Sequence, residues 1–250
     1  MKLILGLTDK ETKQNKSLLQ KKNRVILTVF SFFLIVPLIL ILLFYFDVLK
    51  SKPVFADEIQ EPVAKVITKK GIGTAFLVSP TKLLTARHVV EGYQLGESVD
   101  IVFEKAKVLK QVKAKIIYIA PTTVMPAADQ KVPLEYFLTD FALLEVAEIT
   151  DIIPLETGSS VSVMDLDDVI LIGYPNNDYS ITKGSINSLT YQGLDLFKFD
   201  AAANPGNSGG PLILKADNSV VGIIVGGSGT SAQGENIAIK IDNIKKLIKF

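Results

Sequence analysis

Ser208 sits in DAAANPGNSGGPL, residues 200–212, where three glycines and two prolines clear side-chain volume around one hydroxyl. A serine hydroxyl attacks poorly at neutral pH until a base takes its proton. The sequence holds one imidazole for that task, His88 in LLTARHVV. The pair could perform acyl transfer, provided that a carboxylate orients the ring. Chain order narrows the arrangement. Gly206-Asn207-Ser208-Gly209-Gly210 fits the G-x-S-x-G elbow, but that elbow needs a histidine after the serine, and none follows Ser208. An aspartate-first order would have to use Asp9, Asp47 or Asp57, all ahead of the strand-like part of the chain. The order histidine, aspartate, serine stays open, with ten aspartates between His88 and Ser208. Asp140 in TDFALLEV is the best placed of them, because it directly precedes an apolar run that would hold it at a buried mouth. Asp165, Asp167 and Asp168 form a charged cluster of the kind that water solvates.

The elements that must position these residues are short. From Val63 onward come VAKVIT, GTAFLVS, KLLTA, SVDIVFE, KAKIIYIA, FALLEV, DVILIGYP, SITKGSINSLTY, LDLFKFD, GPLILKA, SVVGIIV and NIAIKI. They are rich in Val, Ile, Thr and Phe and are separated by Gly, Pro, Asn, Asp and Ser, as strands are. Some twelve strands with few helical stretches predict an all-β sandwich or barrel arrangement. Ala216-Asp217-Asn218-Ser219 predicts a hairpin turn, and residues 121–133, PTTVMPAADQKVP, a long surface loop. One helix is expected, at the C-terminus, capped by Asp242 and with Ile244, Leu247 and Ile248 along one face.

Composition excludes several classes. With no cysteine and one histidine, neither a disulfide framework nor a multi-imidazole zinc site is available, and no metal or cofactor is expected. Gly71-Ile72-Gly73 is no nucleotide fingerprint, since Phe76 stands where a third glycine belongs. Residues 1–24 carry seven Lys or Arg against Asp9 and Glu11, and the total is only +1, so the chain beyond the uncharged segment 25–46 is acidic. That balance argues against a nucleic-acid partner.

The uncharged segment, VILTVFSFFLIVPLILILLFYF, is long enough at about 1.5 Å per residue to cross a hydrocarbon core of about 30 Å. The expected organisation is a basic cytoplasmic tail (1–24), a transmembrane helix (25–46), a tether (47–62) and one domain (63–250) outside the cytoplasm. Cleavage after Ala56 in Val54-Phe55-Ala56, which would release the domain, is the competing outcome.

TARHVV, TDFALLEV and DAAANPGNSGGPL, in that order, resemble the three signature blocks of the trypsin-like serine proteases. The last block, with Asn-Pro ahead of GNSGG, is most similar to the bacterial HtrA (Deg) branch, and GIGTAFLVS resembles the family's opening. The resemblance runs from Val63 to Phe250 and implies two packed six-stranded antiparallel β-barrels. It implies His88 as general base, Asp140 as the group that orients it and Ser208 as nucleophile. It places an oxyanion hole at Gly206, Asn207 and Ser208, with the backbone N–H groups of Gly206 and Ser208 as donors worth about 3–4 kcal/mol each. The pocket for the residue before the scissile bond (P1) falls on Ala202 and Ala203, walled by Val225, Gly226 and Gly227. No charge lines it, so small or medium apolar P1 residues are expected.

Two departures qualify the resemblance. Asn207 stands where digestive-type members carry the aspartate that pairs with a newly cut amino terminus. Only 42 residues follow Ser208, so the PDZ module of many HtrA proteins is not expected. The implied function is a membrane-anchored serine endopeptidase acting on exported or misfolded proteins. The alternative is a catalytically silent protease-fold domain that binds such chains without cutting them.

Overall fold

The computed structural model describes residues 56–122, 124, 132–227 and 235–250, together with 21, 35–39 and 41–42. The chain divides into two compact units, Met1–Lys52 and Pro53–Phe250. In the first, residues 35–39 and 41–42 are helical. The rest of the expected membrane segment 25–46, and most of the expected loop 121–133, lie outside the described residues. Among the described residues no helix is long and apolar enough to cross a membrane.

The second unit opens with a short helix, α1 (Ala56–Gln60), whose Ile59 is buried. Among the described residues twelve strands come after it. The first six are β1 (Val63–Thr68), β2 (Gly71–Ser79), β3 (Lys82–Thr85), β4 (Ser98–Phe103), β5 (Lys110–Ile119) and β6 (Ala142–Glu145). They close a barrel in the order β1-β2-β3-β6-β5-β4. The next six are β7 (Asp168–Gly173), β8 (Ser180–Ser188), β9 (Leu196–Phe199), β10 (Pro211–Leu214), β11 (Ser219–Gly227) and β12 (Asn236–Lys240). They close a second barrel, β10-β11-β12-β9-β8-β7, and every pairing within both barrels is antiparallel.

Side-chain alternation shows why these segments are strands. In β5, Lys113 and Lys115 face solvent while Ala114 and Ile116 are buried, the period of two that a half-buried pleat demands. In β2 five successive residues, Gly73 to Leu77, are buried, because this strand is covered on both faces. One apolar cluster draws on both barrels, with Phe76 and Leu84 from the first and Tyr174, Ile213 and Ile223 from the side of the second. A smaller cluster around Leu171, Phe197, Phe199 and Leu212 fills the second barrel. Two closed barrels packed through a common core leave little freedom at the seam between them, and the seam is where the chemistry-bearing residues meet.

The C-terminal helix, α2 (Ile241–Leu247), departs from expectation in detail. β12 runs straight into it, so Lys240 occupies the N-cap position without a side-chain bond and Asp242 lies inside the first turn. Ile241 and Ile244 are the buried pair. Leu247 lies about 90° around the helix from the middle of that pair and is 54% exposed.

Asp242 has a different task from capping. Its carboxylate accepts hydrogen bonds from Ser159 Oγ at 3.0 Å and Ser160 Oγ at 2.9 Å, which pins α2 to the segment between the barrels. Burial pushes its carboxyl upward, but the bonds from Ser160 and Ser159 outweigh that and hold it below its ordinary value. Asp195 is likewise held low, chiefly by Lys240 and then by Asn243. Both folded-state values lie below the unfolded value of about 3.9, so the unfolded chain binds more protons in acid. Their contribution is complete above that pH and is lost as pH falls through the folded values. Melting temperature is therefore expected to drop on acidification to about pH 3, with a smaller drop in Asp242→Asn, as thermal melts across pH will show.

Candidate active site

Strand register brings the first two residues together. Thr85, at the end of β3, pairs with Ala142, at the start of β6. The pair is antiparallel, so the chain leaving β3 lies beside the chain entering β6. Beyond Thr85 the backbone forms a 3-10 turn, Arg87–Val90, that carries His88. Ahead of Ala142 it leaves another, Leu134–Thr139, at Asp140. Asp140 is fully buried, and its two oxygens divide the work: Oδ1 accepts the backbone N–H of His88 at 2.9 Å, and Oδ2 meets Nδ1 of the ring at 2.6 Å. A carboxylate at that distance makes Nδ1 the protonated nitrogen and leaves Nε2 able to accept a proton.

Ser208 comes from the other barrel, on the turn ahead of β10. Its carbonyl accepts the N–H of Thr74 at 2.9 Å, so the serine backbone lies against β2. Gly209 comes closer still. A Cβ there would stand 2.2 Å from the carbonyl oxygen of Thr74 and 2.8 Å from the amide of Ala86, two residues before His88. The His88–Asp140 pair and the backbone of Ser208 and Gly209 thus lie against neighbouring residues, Thr74 and Ala86, at the barrel seam. His88 and Asp140 are in direct contact, and Ser208 enters from the facing side. Among the described residues the hydrogen bond of the His88 ring is that of Nδ1 to Asp140, and none joins Ser208 Oγ to the imidazole.

The backbone around Ser208 has the form of an anion cradle. Gly206 has φ of +107°, and a Cβ on it would lie 2.2 Å from the carbonyl oxygen of Tyr174, so both conformation and space require glycine. Among the described residues the N–H groups of Gly206 and Ser208 donate to no protein group. Asn207 behaves otherwise: its N–H is used by the carbonyl of Asn204 at 3.0 Å, so it is not a donor for the cradle. The Asn207 side chain is buried, and neither its Nδ2 nor its Oδ1 has a partner among the described residues. Asn207→Asp is therefore expected to place an unpaired carboxylate in the interior and to lower the melting temperature at neutral pH by a cost of several kcal/mol. Acidification, which neutralises it, should recover part of that loss.

The specificity residues are placed less completely. Ala202 is exposed and Ala203 half-buried, while Thr182 Oγ1 holds the carbonyl of Ala202 at 2.9 Å and Asn236 Nδ2 holds that of Ala201 at 2.8 Å. Val225 is buried, a Cβ on Gly226 would stand 3.3 Å from the Phe137 ring, and Gly227 ends β11. β10 begins at Pro211, opposite Ile223, so among the described residues the stretch of β11 beyond Ile224 has no strand on that side. An extended peptide could pair there.

Sequence reasoning missed Arg87. It is buried, its Nη1 donates to the carbonyl of Thr139 at 3.0 Å and its Nη2 to that of Tyr136 at 3.0 Å. Its Nε lies 4.0 Å from Asp140 Oδ1 and its guanidinium stacks on Tyr136 at 4.2 Å. One cation thus ties the turn that presents Asp140 to the turn that presents His88. The available signal was a single arginine directly beside His88 in LLTARHVV.

Known proteins carry the same pattern. Residues 73–223, more than half of the chain, match the trypsin-like peptidase domain. The chain is 40% identical over 92 residues, 34% of its length, to the magnetosome formation protease MamE of Paramagnetospirillum magneticum, spanning 12% of that protein. It is 31% identical over 163 residues, 62% of its length, to a probable periplasmic serine endoprotease DegP-like of Pseudomonas savastanoi, spanning 29% of it. It therefore covers under a third of these two relatives. Among solved structures, the HtrA-type protease AlgW bound to a tripeptide aligns with a TM-score of 0.62 at 25% identity, covering 78% of this chain and 62% of that one. The serine endoprotease from Yersinia pestis aligns at 0.59 and 20% identity, covering 78% and 65%, and supports the fold alone. With its two barrels and the matched span, the chain belongs to the trypsin-like peptidase domain family.

Proposed function

We propose that this chain is a membrane-anchored serine endopeptidase that cleaves exported or misfolded proteins after small apolar residues. His88 Nε2 takes the proton of Ser208 as Oγ attacks the scissile carbonyl carbon, and Asp140 stabilises the imidazolium that results. The amides of Gly206 and Ser208 receive the oxyanion. His88 then hands its proton to the departing amine, the acyl-serine forms, and water releases it by the same relay. The observation that carries this reading is the double acceptance by Asp140, which orients His88 from both its backbone and its ring.

Ala202 and Ala203 bring no charge to the pocket, which supports an apolar preference. The uncharged segment 25–46 with the basic tail ahead of it supports the anchor and an extracytoplasmic domain, in keeping with the periplasmic location in the name of the Pseudomonas relative. A peptide library digested by the full chain in lipid nanodiscs tests the substrate preference: Ala and Val should dominate at P1, and a profile dominated by Arg and Lys would refute it. Alkaline carbonate extraction tests the anchor, which should keep the chain in the membrane fraction.

A further inference from the structure

Thr74 belongs to the first barrel, yet its side chain is spent on the second. It lies in β2, fully buried, and every polar group it has is engaged across the seam or beside it. Its N–H donates to the carbonyl of Ser208 at 2.9 Å. Its hydroxyl donates to the carbonyl of Gly206 at 2.7 Å and accepts the N–H of Tyr174 at 3.1 Å. Its own carbonyl accepts the hydroxyl of Thr85 at 2.7 Å.

These bonds fall on particular peptide planes. Peptides are rigid, so holding a carbonyl oxygen fixes the direction of the N–H in the same plane. Thr74 Oγ1 fixes the plane joining Gly206 to Asn207, and Thr74 N–H fixes the plane joining Ser208 to Gly209. The plane between these two carries the free N–H of Ser208. The other free N–H, that of Gly206, belongs to the plane whose oxygen, on Pro205, accepts the N–H of Asn176 at 3.1 Å. Asn176 lies two residues beyond Tyr174, the residue that donates to the Thr74 hydroxyl. One hydroxyl therefore links the Tyr174–Asn176 segment, which holds the first amide, to the Gly206 carbonyl, which constrains the second. Only a side chain that donates and accepts at one atom can do this, and the site is too small for anything larger: a Cβ on Gly173 would stand 2.9 Å from Thr74 Oγ1.

We infer that Thr74 is a positioning residue, whose hydroxyl keeps the Gly206–Ser208 backbone in the form that leaves both cradle amides free to meet an oxyanion. The inference rests on the serine-endopeptidase reading of the same site and adds a residue that never touches substrate. The group that prepares the oxyanion donors sits on the barrel that carries His88, so packing of the two barrels, and not the GNSGG segment alone, prepares the site.

The test compares the full chain with Thr74→Val, which keeps the shape and removes the hydroxyl, and Thr74→Ser, which keeps the hydroxyl. Thr74→Val should lower kcat about 100-fold, the scale of one lost oxyanion donor, with KM for a peptide substrate changed less than about two-fold. Affinity for a peptide boronate, which forms a tetrahedral adduct on the serine, should fall by a similar factor. Thr74→Ser should restore kcat to within a few-fold. Thr85→Val, which removes a buried hydroxyl bonded to Thr74 but not to the 206–208 backbone, should lower the melting temperature without this selective loss of kcat. If Thr74→Val does not fold, Thr74→Ala is measured in its place. A folded Thr74→Val or Thr74→Ala with wild-type kcat and boronate affinity overturns the inference, as does an equal loss in Thr74→Ser. A wild-type chain that neither cleaves peptides nor reacts with boronate would instead overturn the endopeptidase reading, and the inference with it.

Discussion

Ser208→Ala is expected to abolish covalent labelling by a fluorophosphonate and to cut kcat on peptide substrates by about 10⁶-fold, with His88→Ala close behind. The two losses have one cause. Without the hydroxyl there is no atom to acylate, and without the imidazole nothing takes its proton at neutral pH. His88 is the sole histidine of the chain, so no neighbour can substitute for it. Binding of extended peptides is expected to survive in both variants, because the unpaired side of β11 beyond Ile224 is untouched. The measurement is rate of labelling by intact-protein mass spectrometry beside steady-state kinetics. Labelling of Ser208→Ala at the wild-type rate would show that the nucleophile lies elsewhere.

Asp140→Asn is expected to cost about 10⁴-fold in kcat. The substituted amide can present its nitrogen to the ring, which would leave Nδ1 as an acceptor and move the ring proton to Nε2, where the base lone pair is needed. A second loss is structural. Arg87 Nε lies 4.0 Å from Asp140 Oδ1 in a buried setting, and neutralising the carboxylate leaves that cation without its anion. Melting temperature should therefore fall as well, which distinguishes Asp140→Asn from Ser208→Ala, where no buried charge loses its partner. Kinetics and a thermal melt on the same preparation check both parts. A melt shifted without loss of kcat would make Asp140 a structural residue only.

The strands were legible because their signals are local. VAKVIT coincides with β1 over Val63–Thr68, and the Ala216–Ser219 turn falls between β10 and β11, with Asn218 at φ of +61°. The pairing that assembles the site is not local. Nothing in KLLTA or FALLEV states that Thr85 will face Ala142, yet that register carries His88 to Asp140. Ser208 was legible because its glycines are demanded by backbone geometry, as the φ of Gly206 and the tight fit of Gly209 show. Thr74 and Arg87 were not, since a buried threonine reads as an ordinary strand residue and the partners of Arg87 are mainly backbone carbonyls, which no sequence pattern marks. Asn207 was placed in the oxyanion hole between the two expected donors, and its own N–H turns back to Asn204. The capping role expected of Asp242 failed because β12 leaves no linker before α2.

The central claim is that His88, Asp140 and Ser208 act as one catalytic unit. Fluorophosphonate labelling rates of His88→Ala, Asp140→Asn and the double variant test it most directly. Groups that act together lose their effect together, so the double variant should label no more slowly than His88→Ala alone. Losses that multiply in the double variant would show that Asp140 and His88 contribute independently, and would contradict the account.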